Sequence, residues 1–194
     1  MPFEDSSPFV VVVPRYSLTE AERKAFAQAC DYLVEKHKMK ILMLPFQTAY
    51  HAHFDDEEAC NAIQAMMQHS DQAKVWVTES PAAAFQVIGK AQLVLSVRLH
   101  ALIFASIQAV PPVAISYEVK VGSFMAELGQ SFYNLTLSDL ESGKVLPVLD
   151  RAFADQSIIR PQLKDRSVTL REQSLRNFEI LRETPQSSGS LLTG

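Results

Sequence analysis

Phe9-Val10-Val11-Val12-Val13 is an unbroken apolar run stopped by Pro14. A strand with one solvated face alternates apolar and polar residues. A run without alternation predicts a strand buried on both faces, as in a parallel sheet covered by helices. Downstream, Ser17-Leu18-Thr19-Glu20 has the spacing of a capping box opening a helix, with Leu18, Ala21, Ala25, Phe26, Ala29, Leu33 and Val34 on one face. Ile41 to Leu44 follows as a strand. The acidic start Asp55-Asp56-Glu57-Glu58 leads a helix through Ile63, Met66 and Met67. Val75-Trp76-Val77 predicts a third strand, and Ser80-Pro81 a cap and first-turn proline before a helix through Phe85 and Ile88. Leu93 to Leu95 and Val113 to Ile115 are the next strands, separated by a helix from Leu99 to Ile107. A helix through Phe124, Met125 and Leu128 ends at Gly129, Tyr133 to Leu137 predicts a sixth strand, and Ser138 with Glu141 a second capping box. Strands alternating with helices predict an α/β, Rossmann-like parallel sheet domain over residues 1–183, with 93–95 and 113–115 adjacent near its middle. Residues 156–183 read as a charged helical extension packing through Leu163, Leu170, Leu175, Phe178 and Leu181, and 184–194 as a disordered Ser/Gly-rich tail.

The 194 residues suffice for one domain with a full core, and 47% hydrophobic with 21% charged residues is ordinary globular usage. A net charge of -4 gives no electrostatic footprint for nucleic acid. Cys30 and Cys60 each lie in an expected helix beside apolar residues and read as core thiols. No stretch reaches the ~20 apolar residues of a membrane span and no signal peptide precedes the first strand, so the expected location is the cytoplasm.

Ligands of open α/β sheets bind at the carboxyl ends of the strands. Those ends carry Pro14-Arg15, Phe46-Gln47, Thr78-Glu79, Ser96-Val97-Arg98-Leu99-His100 and Ser116-Tyr117-Glu118-Val119-Lys120. None has the glycine-rich phosphate loop of a standard nucleotide fingerprint. Arg98 and His100 stand at a helix start, where free N–H groups and the helix dipole favour an anion. Arg98 adds a planar fork for carboxylate or phosphate, His100 a group that titrates near neutral pH, and Lys120 a mobile cation. Leu99 between them can turn into the core. Each of these residues alone is more often structural or solvated; their coincidence on neighbouring strand ends makes the site. Arg15 and Gln47 are added as lining residues of neighbouring ends. His51 and His53 with Asp55 read as a solvated loop rather than a metal cluster.

The strip Ser96-Val97-Arg98-Leu99-His100-Ala101-Leu102-Ile103-Phe104-Ala105, followed by Val110-Pro111-Pro112-Val113-Ala114-Ile115-Ser116-Tyr117-Glu118-Val119-Lys120-Val121, resembles the signature of the polysaccharide pyruvyl transferase family. The nearest branch is the bacterial one acting on cell-surface, cell-wall polysaccharide. The sequence departs from the pattern in Glu118 for Asp and in Ala109 and Ala114 for Gly, which read as changes of side-chain size. The resemblance implies the C-terminal half of a GT-B-type two-domain transferase, with the N-terminal domain missing as a partner. It implies phosphoenolpyruvate as donor, a sugar or polysaccharide precursor as acceptor and a pyruvate ketal as product, with no cofactor and no metal. His100 and Lys120 become the catalytic candidates, and Arg98, Leu99, Arg15, Gln47 and Tyr117 the substrate-binding ones. The competing expectations are a GT-B glycosyltransferase or sugar-nucleotide epimerase half, in which Arg98 and His100 meet a diphosphate, and a non-catalytic module docking through 156–183.

Overall fold

The computed structural model describes residue 3 and residues 7–47 and 55–183, with side chains up to residue 169. The expected tail and the two loop histidines lie outside the described residues. Six parallel strands form one sheet: β1 (Phe9–Val13), β2 (Lys40–Met43), β3 (Ala73–Val75), β4 (Leu93–Ser96), β5 (Pro112–Ser116) and β6 (Asn134–Thr136), in the order β3-β2-β1-β4-β5-β6. Eight α-helices connect and cover them: α1 (Glu20–His37), α2 (Asp56–Met66), α3 (Pro81–Ile88), α4 (Leu99–Ile107), α5 (Val119–Glu127), α6 (Leu137–Glu141), α7 (Val145–Ala154) and α8 (Gln156–Glu183). The fold is the expected α/β doubly wound sheet, with β4 and β5 paired in parallel through Leu95 and Val113.

The two-sided burial of β1 explains its lack of alternation. Val10 and Val12 face a core cluster with Phe26, Leu33, Ile63 and Met125 on one side, while Phe9, Val11 and Val13 join Ala84, Ile88, Ala101 and Ala105 on the other. Successive side chains of a strand point to opposite faces, so both faces of a central strand must be apolar. Cys30 and Cys60 are both free thiols in the first cluster, where burial pushes their pKa values up and leaves them unreactive.

Three local expectations shift by two residues. Helix α1 is capped by Thr19, which exchanges hydrogen bonds with Glu22, and Ser17 is exposed outside it. The chain contains both frames, Ser17 with Glu20 and Thr19 with Glu22. The later one prevails because it leaves Leu18 ahead of the helix, buried in the core. Likewise α6 is capped by Thr136 with Asp139, not by Ser138 with Glu141. The third strand pairs through Ala73, Lys74 and Val75 rather than 75–77. As the outer strand it leaves Lys74 exposed, a charge that discourages further strand pairing.

Ala109 is more than a change of size. It has φ 53°, in the left-handed region, at the end of α4. Its N–H donates to the Ser106 carbonyl, and that of Val110 to Ala105, which closes a Schellman motif. Gly129 plays the same part after α5 with φ 72°. A Cβ in this region costs roughly 1–2 kcal/mol, which is the physical reason glycine suits position 109.

Candidate active site

The strand order reverses between β1 and β4, and the carboxyl ends of these two strands flank the crevice where such sheets take ligands. Arg15 and Tyr16 leave β1, and Arg98 leaves β4 next to them. The turn after β4 is fixed by Ser96, which is fully buried; its hydroxyl accepts from the Arg98 N–H at 2.9 Å and donates to the Arg98 carbonyl at 3.0 Å. That clamp presents residue 98 as the N-cap of α4 in extended conformation. Helices α1, α2, α3 and α6 are capped by Thr19, Asp55, Ser80 and Thr136, whereas α4, α5 and α7 have no side-chain cap. The first-turn N–H groups of the two helices at the candidate site are therefore left without a side-chain acceptor.

Arg98 does not hang free in the crevice. Its guanidinium forms a fork with Asp56, Nε to Oδ2 at 3.0 Å and Nη2 to Oδ1 at 2.5 Å, and Asp56 is completely buried. The same carboxylate accepts the backbone N–H of Tyr16 at 2.9 Å and of Gln47 at 3.0 Å. One side chain thus ties together the chain segments following β1, β2 and β4. Gln47 contributes its backbone rather than a side-chain contact to this knot. In sequence Asp56 is one of four consecutive acids. Asp55 is the cap of α2, accepting from Glu57 N at 2.8 Å, and nothing local distinguishes Asp56 from its neighbours. The one available signal was a surplus: a helix start needs one or two acids, and this one has four.

The remaining cations differ in their state. Lys120, in the first turn of α5, is exposed and pairs with Glu118 at 3.2 Å. Hydrogen bonds from Tyr117 and then Lys120 hold the Glu118 carboxyl below its usual range, while burial and the bond to Glu118 raise the Tyr117 phenol. Arg15 has no carboxylate partner among the described residues; its guanidinium lies 3.8 Å from the centre of the Tyr117 ring, and its buried Nε has no hydrogen-bond partner. Of Arg15, Arg98 and Lys120, Arg15 is the cation with no direct ion pair among the described residues, Glu118 acting on it only at longer range. Leu99 packs against the core, as its position between two cleft residues requires.

His100 is exposed on the first turn of α4 and lines a cavity of about 360 Å³. Pro45, Phe46, Thr78, Glu79 and Phe104 form other parts of its wall. Neither Arg98 nor Lys120 lines that cavity, so the structure brings Arg15, Arg98 and Tyr117 to one side of the α4 start and leaves His100 facing the other. No metal-binding group of three His, Cys, Asp or Glu side chains exists among the described residues.

The parallel sheet and its arginine-bordered switch point define a Rossmann-like α/β domain with cations at the carboxyl ends of β1 and β4. The sequence model of the family described as polysaccharide pyruvyl transferase matches residues 6–119, and the chain belongs to that family. The match takes in Arg15, Asp56, Arg98, His100 and Tyr117 and stops one residue short of Lys120. No curated protein matches the chain. Among solved structures it is similar to the C-terminal CMP-Kdo binding domain of WaaA from Acinetobacter baumannii, with a TM-score of 0.51 and 12% identity over 85% of this chain and 89% of that one. It is also similar to S. aureus TarM, in a complex containing UDP, with a TM-score of 0.52 and 14% identity over 90% of this chain and 36% of that one. A mutant Thermobaculum terrenum O-GlcNAc transferase gives 0.50 and 11% over 86% and 38%. The chain spans well under half the length of the last two. At these identities the likeness is one of fold.

Proposed function

We propose that this domain is the donor-binding half of an enzyme that transfers pyruvate from phosphoenolpyruvate to a sugar of a cell-surface polysaccharide, forming a ketal. The observation that carries the reading is the placement of Arg15, Arg98 and His100, all inside the family match, at the two strand ends flanking the switch point. The C-terminal assignment is in keeping with the fold shared with the C-terminal CMP-Kdo binding domain of WaaA.

The donor has a carboxylate and a phosphate, and so needs cations held apart. Arg15 on its tyrosine platform is one. Arg98 offers what its fork with Asp56 leaves over, and Lys120 brings a mobile ammonium on the adjacent strand end. In the reaction the donor methylene carbon takes a proton and becomes a methyl group, which leaves C2 oxocarbenium-like. One sugar hydroxyl adds to C2 and loses its proton. The bond from C2 to the phosphate oxygen then breaks, and a second hydroxyl closes the ketal as inorganic phosphate departs. His100 is the candidate general acid, for the methylene carbon or for the departing phosphate, and Lys120 stabilises the charge that develops on that phosphate.

Phosphoenolpyruvate is expected to raise the melting temperature of the chain, and UDP-sugars are not; the reverse result would favour a nucleotide-sugar enzyme. In a protein that includes the N-terminal domain, His100→Ala and Lys120→Ala should each abolish turnover while leaving the fold intact. Full activity of His100→Ala there would remove the histidine from the mechanism.

A further inference from the structure

The cavity beside His100 has a chemistry opposite to that of the arginine crevice. Among the described residues no lysine or arginine lines it, and the one carboxylate that does, Glu79, is exposed and has no ion-pair partner. Its floor is apolar: Phe46 lies 5.9 Å from Phe104, which in turn packs edge-on against Phe85 at 5.4 Å. Thr78 and Ser80 bring hydroxyls to the rim; the Ser80 hydroxyl already accepts the Ala83 N–H as cap of α3, so its proton is free to be donated outward. A volume of about 360 Å³ falls in the range of about 300–1,000 Å³ usual for small-ligand sites.

A phosphate- and carboxylate-bearing donor is disfavoured here, since among the described residues it would face Glu79 with only His100 to offset its charge. An uncharged sugar fits each wall. Its C–H faces lie on aromatic rings, and its hydroxyls donate to a carboxylate and pair with Thr78, Ser80 and the imidazole. We propose that this cavity, bounded by Phe46, Thr78, Glu79, Ser80, His100 and Phe104, is the acceptor-sugar subsite. On this view His100 stands at the border between an anion crevice and a neutral pyranose pocket. The assignment rests on the pyruvyl-transfer reading, which supplies the need for two substrates of opposite character side by side.

The test is a titration of the isotope-labelled chain, followed by NMR, with uncharged methyl pyranosides (glucoside, galactoside, mannoside and N-acetylhexosaminides) and separately with phosphoenolpyruvate. At least one glycoside should shift the amides of Thr78 to Ala84 and His100. Phosphoenolpyruvate should shift those of Arg15, Arg98 and Tyr117 and leave Thr78 to Ala84 in place, the glycoside should leave Arg15, Arg98 and Tyr117 in place, and His100 at the border should respond to both. Glu79→Ala should weaken the glycoside about tenfold, which is about 1.4 kcal/mol for the loss of one hydrogen bond to an exposed carboxylate. Phosphoenolpyruvate competing for the Thr78 to Ala84 set would overturn the subsite and leave the donor reading standing, as would glycosides that shift nothing there. Glycoside shifts in the cavity with no phosphoenolpyruvate response anywhere would instead overturn the donor reading.

Discussion

Asp56 carries two arginine hydrogen bonds and two backbone ones on a carboxylate with no solvent exposure. Removing one partner of a buried ion pair leaves the other charge unsatisfied, typically at about 3–5 kcal/mol. Asp56→Ala should therefore lower the unfolding free energy by about that much in urea titration, and Asp56→Asn by less, since the amide oxygen can still accept from Tyr16 or Gln47. Asp56 also uses much of the charge of Arg98, so under the proposed function the weight of donor binding falls on Arg15. Arg15→Ala should weaken the phosphoenolpyruvate response of the chain more than Lys120→Ala does, because Lys120 is exposed and already paired. Exposed pairs are worth only about 0–1 kcal/mol, so even the intact set should hold the donor no better than about millimolar until the second domain excludes water. Calorimetric or NMR titration of both variants decides the order.

Helix ends show what spacing can and cannot specify. The α1 cap is Thr19, and Thr19→Ala should cost about 1 kcal/mol of stability while Ser17→Ala costs next to nothing. Both frames satisfy the same local rule, and only the burial of Leu18 chooses between them. Ser80-Pro81 had no such rival, and the cap of α3 is where its residues place it. At the other end of α4, Ala109→Gly should stabilise the protein by up to about 1 kcal/mol, relief of the left-handed strain being partly offset by a freer unfolded chain. Thermal unfolding of the three variants reads these effects directly. A destabilised Ala109→Gly would mean that burial of the Ala109 methyl, only 4% exposed, outweighs the backbone strain.

Across the whole molecule, one acid gathers the polar contacts between α1 and α7 above their shared apolar core. Asp150 receives hydrogen bonds from Tyr32 at 2.8 Å and Lys36 at 2.6 Å and lies 2.8 Å from His37 Nε2, with the His37 ring stacked on Phe153. Burial alone would raise its pKa, but the bonds from Lys36, Tyr32 and His37 outweigh it and hold the carboxyl at about 2. Asp139, bonded by Thr136, is also held at about 2, and Asp155 is lowered by Tyr133. A carboxyl depressed in the folded state contributes stability that is present above its unfolded value, near 3.8, and is lost as pH falls toward 2. Stability should therefore fall steeply between about pH 4 and pH 2, and Asp150→Asn should flatten that slope while costing about 1–2 kcal/mol at neutral pH, a figure reduced for the partial exposure of the pair. Urea midpoints measured across this range check both.

The chain by itself determined the class of fold, the direction of its strands and the identity of most residues at the carboxyl edge. Runs such as Phe9 to Val13 can be buried only one way, and strand-helix alternation forces crossovers that bring every strand end to one edge. It did not determine which charges remain available there. Arg98 and Asp56 are 42 residues apart, and Arg15 and Tyr117 about a hundred, so their pairing depends on where β1, β2, β4 and β5 come to lie. The same holds for the division of the edge into a cationic crevice and a cavity around Glu79. Hydrophobic period is a local property of the chain, whereas the partner of a charge is settled only when distant segments pack.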